Sequence, residues 1–117
     1  GKDLCGFTKT AYKNACKGGS NVYVFKISND DEVFYKIGIS KNVKNRRSQI
    51  ICESGYDCDV ALSQFYPDAG LVYDLEKLLH RKFKSLSYKP SIYFTGNTEC
   101  FKDLNPDEVN KILLCAA

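Results

Sequence analysis

The period of the apolar positions changes several times along the chain, and each change marks an element. Thr8 is placed to cap a helix running to about Lys17, where Gly18 and Gly19 end it. The β-branched and aromatic run NVYVFKI follows, then a polar turn at Asn29 to Glu32, then VFYKIGI. Two such runs around a short acidic turn predict an antiparallel hairpin. Asn42 stands where it can cap a second helix reaching about Cys52. DCDVALSQFY predicts a third strand, closed by Pro67. Asp68 is set to cap a helix through about Phe83, whose Leu71, Val72, Leu75, Leu78, Leu79 and Phe83 form one stripe. Beyond the break at Pro90, SIYF and TECF read as short extended pieces around Gly96 and Asn97, and Pro106 opens a last helix, DEVNKILL. The order ββα, then a strand and helices, predicts a small α+β domain with a three-stranded antiparallel sheet flanked by helices. Residues 1–20 are expected to form an N-terminal helical extension and residues 21–117 the main domain.

The hairpin carries the first candidate chemistry. With a loop of Asn29 to Glu32, Ser28 pairs with Val33 and Tyr23 lies opposite Gly38. Alternation then puts Tyr23, Phe25 and Ile27 on one face with Phe34, Lys36 and Gly38, and turns Tyr35 the other way. A tyrosine and a lysine thus flank a glycine that lets a ligand approach the backbone. The same residues also fit a plainer use, with Tyr23 packing the sheet and Lys36 guarding a strand edge against aggregation. A loop one residue longer exchanges Lys36 for Tyr35, so the geometry depends on register.

Two helices add charged groups beside apolar stripes. In the second helix Val43, Ile50 and Ile51 define the stripe, and Arg46 and Arg47 fall within or next to it. A guanidinium on an inward face needs a partner. A phosphate suits its planar fork, while an internal carboxylate or snorkelling over the rim would serve equally. In the long helix Glu76 lies just off the stripe, with His80 one turn later on the same flank. That placement suits a hard cation completed by water and substrate phosphate, or a simple surface pair at i,i+4.

Length and composition narrow the class. The 117 residues allow one domain with one modest core. With 44% hydrophobic and 26% charged residues, the chain has the balance of a folded domain rather than a disordered segment. No apolar run approaches the roughly 20 residues of a membrane span, and no signal segment opens the chain, so a cytoplasmic location is expected. The chain lacks methionine and begins at Gly1, which points to a piece of a longer protein. The cysteines, Cys5, Cys16, Cys52, Cys58, Cys100 and Cys115, show no CxxC spacing. They are expected to be mostly buried, reduced thiols, and neither they nor the single histidine offer the paired spacing of a zinc site. Net charge is +3, with basic residues clustered from Lys41 to Arg47 and from His80 to Lys84. Such clusters suit a polyanionic partner, and equally a solvated helix face.

Taken in order, NVYVF, then YKIGIS, then KNVKNRR resemble the signature of the GIY-YIG nuclease superfamily. The likeness is closest to the T5orf172 or MUG113 type, whose members read Y-K-I-G. Asn21-Val22-Tyr23 stands where the superfamily has Gly-Ile-Tyr, and Tyr35-Lys36-Ile37-Gly38 forms the second motif. Lys36 falls where the second motif tyrosine usually stands, with Tyr35 displaced by one. Arg46, eight residues beyond Gly38, occupies the place of the superfamily's catalytic arginine. DLEKLLHRKF resembles the branch's E-x-x-L-H-x-x-F helix, and TECF its closing G-x-x-E-W-F segment, with cysteine for tryptophan. Ile50 stands where a histidine or tyrosine is usual. The resemblance spans roughly residues 21–101.

This resemblance implies a metal-dependent endonuclease acting on nucleic acid, with DNA as the expected partner. Tyr23 would lie near the attacking water as general base or orienting group, with Lys36 lowering its pKa or orienting the water itself. Glu76 would hold Mg²⁺ or Mn²⁺, and Arg46 would stabilise charge developing on the phosphate. Lys41, Lys44, Arg47, His80 and Lys82 would touch flanking phosphates, giving affinity without sequence choice. A domain this small has little surface for reading a long site, so a flanking DNA-binding domain or dimerisation is expected to supply specificity. The departures from the motif leave a second expectation, a catalytically inactive nucleic-acid-binding or protein-interaction module.

Overall fold

The computed structural model describes residues 8–116. Strands β1 (Ser20–Ser28) and β2 (Val33–Ser40) form the expected hairpin, with Ser28 opposite Val33 and Tyr23 opposite Gly38. Its turn is set by Asn29, whose side-chain oxygen accepts the backbone N–H groups of Asp31 and Glu32 at 2.8 and 3.0 Å. Such an Asx turn fixes loop length, and loop length fixes register.

The other elements follow their capping signals. Helix α1 (Lys9–Ala15) starts at Thr8, whose side chain accepts from Ala11 N, and stops short of the expected Lys17. Helix α2 (Val43–Ser54) is capped by Asn42 and runs past Cys52, because the residue that ends it is Gly55 in the left-handed conformation. Strand β3 (Asp57–Tyr66) covers the predicted run. Helix α3 (Ala69–Lys82) is capped by Asp68, which accepts from the N–H groups of Gly70 and Leu71. A single 3₁₀ turn, Lys84–Leu86, leads to a strap of irregular chain, then to strand β4 (Cys100–Phe101) and helix α4 (Pro106–Ala116).

The domain is α+β, as expected, but its antiparallel sheet has four strands rather than three, in the order β3-β1-β2-β4. Only Cys100 and Phe101 of TECF form strand, and SIYF forms bends. Two residues are too few to display a period of two, so the pattern that revealed the longer strands had nothing to show here.

One face of the sheet carries Val22, Val24 and Ile37 against buried residues of α1, α3 and α4, among them Tyr12, Val72, Leu79, Val109 and Leu113. The other carries Tyr23, Phe25, Ile27 and Phe34 against Ile50 of α2, Tyr56, and Phe94 of the strap. Among the described cysteines, Cys16, Cys58 and Cys100 are buried, Cys52 and Cys115 are exposed, and all five are free thiols. Cys5 lies outside the described residues. Three of the five described cysteines thus meet the expectation of mostly buried, reduced thiols, while Cys52 and Cys115 fall on the outer sides of α2 and α4. No helix among the described residues is long and apolar enough to cross a membrane.

Candidate functional site

Lys36 sits on the second face and is only 1% exposed. Its ammonium donates to Glu99 Oε1 at 2.7 Å and to the Tyr23 hydroxyl at 3.1 Å. Burial works against the charge, but Tyr23 and Glu99 outweigh it and hold the lysine above its usual range. Two glycines leave room for this cluster. A Cβ on Gly38 would collide with the Tyr23 hydroxyl and come within 2.8 Å of Lys36 Nζ. A Cβ on Gly96, whose φ is +89°, would lie 2.8 Å from Lys36 Cε.

The strap that delivers Gly96 and Glu99 is irregular, so side chains tie it down. Glu32, at the hairpin turn, accepts the hydroxyls of Tyr56 and Tyr88 and the N–H of Ser91. Glu53 of α2 accepts the N–H and hydroxyl of Thr95. Beyond these anchors the Glu99 carbonyl takes the N–H of Ile37.

Strand β4 pairs only with Tyr35 and Lys36, and past Ile37, whose N–H goes to the Glu99 carbonyl, the edge of β2 has no strand beside it among the described residues. Helix α3 reaches this gap. His80 Nε2 lies 2.9 Å from the Ile37 carbonyl, which can only accept, so Nε2 carries the proton. Glu76, one turn earlier, makes no hydrogen bond or ion pair among the described residues. A carboxylate oxygen of Glu76, one of Glu99 and a ring nitrogen of His80 all lie within 4.8 Å of one another.

The electrostatics follow from this crowding. The Glu76 carboxyl is pushed up to about 7, first by burial and then by the charge of Glu99, against the pull of Lys36, Lys77 and Arg46. Burial lowers the His80 imidazole and keeps it neutral, against its bond to the Ile37 carbonyl. Tyr23 is raised by burial, which prevails over Lys36 and Arg46, so its phenol holds its proton at neutral pH. That condition suits a group that orients water better than one that deprotonates it.

The two arginines of α2, alike in the sequence, part company. Arg47 donates its Nε–H to the Cys58 carbonyl and so fastens α2 to β3. Arg46 is half-buried and makes no hydrogen bond or ion pair among the described residues, yet its charge acts on Tyr23, Glu53 and Glu76. Of the remaining basic residues, Lys44 and Lys82 are exposed, and Lys41 is exposed with its ammonium on the Ala15 carbonyl. His80 turns toward Ile37 and the two glutamates rather than standing among the exposed cations.

Sequence reasoning gave Glu99 no role, although a buried lysine demands a carboxylate and the G-x-x-E spacing of Gly96 to Glu99 offered one. Phe94 and the tethers Glu32 and Glu53 carried no legible signal.

A four-stranded antiparallel sheet with helices bears a buried lysine–tyrosine–glutamate cluster beside the helix that carries Glu76 and His80. The sequence model of the T5orf172 domain matches residues 20–117, and the chain belongs to that family. The family lies in the GIY-YIG-like, nuclease-associated group. No curated protein and no solved structure shows a match to the chain.

Proposed function

We propose that the chain is a metal-dependent endonuclease that hydrolyses phosphodiester bonds of DNA, of the Y-K-I-G type within its family. The observation that carries this reading is Arg46. It is a half-buried guanidinium without an internal partner, close enough to Tyr23 and Glu76 for its charge to act on both. A phosphate at that place completes it.

Glu76 suits the Mg²⁺ or Mn²⁺ that the family reading implies. It is a desolvated carboxyl without a hydrogen-bond partner, held near 7 beside a second carboxylate, and a cation relieves both penalties. The ion, when bound, supplies charge neutralisation at the leaving oxygen. The chain's own residues do the rest. Lys36 donates to the Tyr23 oxygen, so the phenolic proton is free to turn toward the open edge and orient a water. Arg46 stabilises charge as it develops on the phosphate. Lys41, Lys44 and Lys82, with the unused N–H groups of Arg47, track flanking phosphates.

Plasmid cleavage with Mg²⁺, Mn²⁺ or EDTA tests this, beside Glu76→Ala and Arg46→Ala shown to be folded by circular dichroism. Each substitution is expected to reduce cleavage at least about a hundredfold, through lost metal or lost charge stabilisation. Undiminished cutting by either variant would remove that residue from the mechanism. Salt-dependent plasmid binding without turnover in any metal would favour the inactive nucleic-acid-binding reading. Neither binding nor cutting would leave a protein-interaction module.

A further inference from the structure

The ion assigned above to Glu76 has two more donors within reach, and each already holds the outer contact that a metal ligand needs. Ligating imidazoles characteristically donate their other N–H to a backbone carbonyl or carboxylate, and ligating carboxylates are themselves hydrogen-bonded. His80 donates Nε2–H to Ile37, which leaves the Nδ1 lone pair to face an ion. Glu99 gives Oε1 to the Lys36 ammonium and keeps Oε2 without a hydrogen bond among the described residues. We propose that Glu76, His80 and Glu99 together form a two-carboxylate, one-imidazole site that selects a first-row transition ion such as Mn²⁺ over Mg²⁺. This rests on the reading that Glu76 binds the ion.

The geometry permits it. Ligand atoms about 2.0–2.2 Å from one ion stand up to about 4.4 Å apart, and one ligand atom from each of the three residues lies within 4.8 Å of the other two. Glu76 and His80 are one turn apart on a single helix, while Glu99 arrives on a strap tied at Glu32 and Glu53, so no backbone has to cross the site. Selectivity follows from donor chemistry. Mg²⁺ favours oxygen and keeps its waters, whereas imidazole nitrogen suits the later first-row ions best, and Mn²⁺, the first of that series, gives up water for it more readily than Mg²⁺ does. Lys36 is then a positioning residue, because its bond to Oε1 fixes which oxygen of Glu99 is free.

The test is Mn²⁺ binding to the whole chain, followed by electron paramagnetic resonance, with Mg²⁺ as competitor. The wild type and the variants Glu76→Gln, Glu99→Gln and His80→Gln are compared, and thermal unfolding of each establishes that it folds. A Gln at 99 still accepts from Lys36, so that variant separates lost ligation from lost packing. The chain has one histidine, so the nitrogen modulation of a bound imidazole in the Mn²⁺ echo spectrum has one source and needs no variant. The expected result is Mn²⁺ bound at least about tenfold more tightly than Mg²⁺, an imidazole nitrogen signal, and a loss of about tenfold or more in each variant. Glu99→Gln and His80→Gln binding Mn²⁺ as well as wild type, with Glu76→Gln alone impaired, would overturn the three-ligand site and leave the single-ligand reading standing. Mn²⁺ binding indifferent to all three substitutions, or absent in the wild type, would overturn both.

Discussion

The two faces of the sheet are built from the same two strands and obey different rules. Val22, Val24 and Ile37 point to a face closed by three helices, where apolar side chains meet apolar stripes and the hydrogen bond between Tyr12 and Ser20 is internal. Tyr23, Phe25, Phe34 and Lys36 alternate with them and point to a face closed by one helix and a strap. There an ammonium is fully buried, and a glutamate beneath the strap collects two tyrosine hydroxyls. The helix-closed face has the chemistry of stability, since burial alone accounts for it. The strap-closed face spends side chains on desolvated charge, which contributes little net stability and is expected where a site has to be held in place.

The sharpest break between the faces is expected from truncation. Leu79 is fully buried between α3 and the sheet, so Leu79→Ala should destabilise the fold by roughly 2–5 kcal/mol. Measured by urea unfolding, that loss should come without any change in Mn²⁺ affinity of the folded fraction. Coupled losses of stability and ion binding would show that the two faces are not separable.

A smaller and opposite pattern is expected at Gly38. An alanine there meets the Tyr23 hydroxyl and Lys36 Nζ, two groups with no room to retreat because both side chains are buried. Overpacking of this kind costs typically about 1–3 kcal/mol, and the rigid, buried Tyr23 ring favours the upper part of that range. Cleavage should fall by more than the stability loss explains, since the displaced groups are those that face the reaction. Gly18→Ala, where a Cβ meets nothing within 4 Å, should change stability by less than about 0.5 kcal/mol and serves as the control. Equal effects at the two glycines would erase the distinction.

How much of this was legible in the sequence divides along the same line. The helix-closed face was visible because its residues keep regular periods, with Leu75 and Leu79 on a helix stripe and Val22 and Val24 in strand alternation. The hairpin register was legible only on the condition of a four-residue loop, and the Asn29 side chain that meets this condition shows in the structure. On the other face Tyr23, Lys36 and Arg46 were nameable from their motif spacing, as was Glu76 at the flank of α3. Their relations were not, because they depend on a strap with no period, a strand of two residues and a counter-ion, Glu99, that lies far along the chain. The different uses of Arg46 and Arg47 were also hidden, since the carbonyl that claims Arg47 belongs to β3 and no helical pattern reports it.

The smallest expected effect is also the most direct probe of desolvated charge where α3 meets the strap. Glu76 titrates near 7 in the folded chain, against an ordinary value of 4.5. Between those values the folded chain keeps a proton that the unfolded chain has released, so stability falls as pH rises through the window and stays lower above it. Glu76→Gln has no such proton to lose. Its stability relative to wild type should be near zero below pH 4.5 and grow to about 1–3 kcal/mol above pH 7, read from urea unfolding at each pH without divalent ions. His80 pulls the other way, since its lowered pKa removes stability as pH falls through its unfolded value near 6.5, but it is present in both chains and drops out of the difference. Adding Mn²⁺ at pH 8 should narrow the difference, because the ion binds more tightly to, and so stabilises more, the chain that keeps its carboxylate. A difference that stays flat across the window would mean that Glu76 is solvated like any surface acid, and the contrast between the two faces would then rest on Lys36 alone.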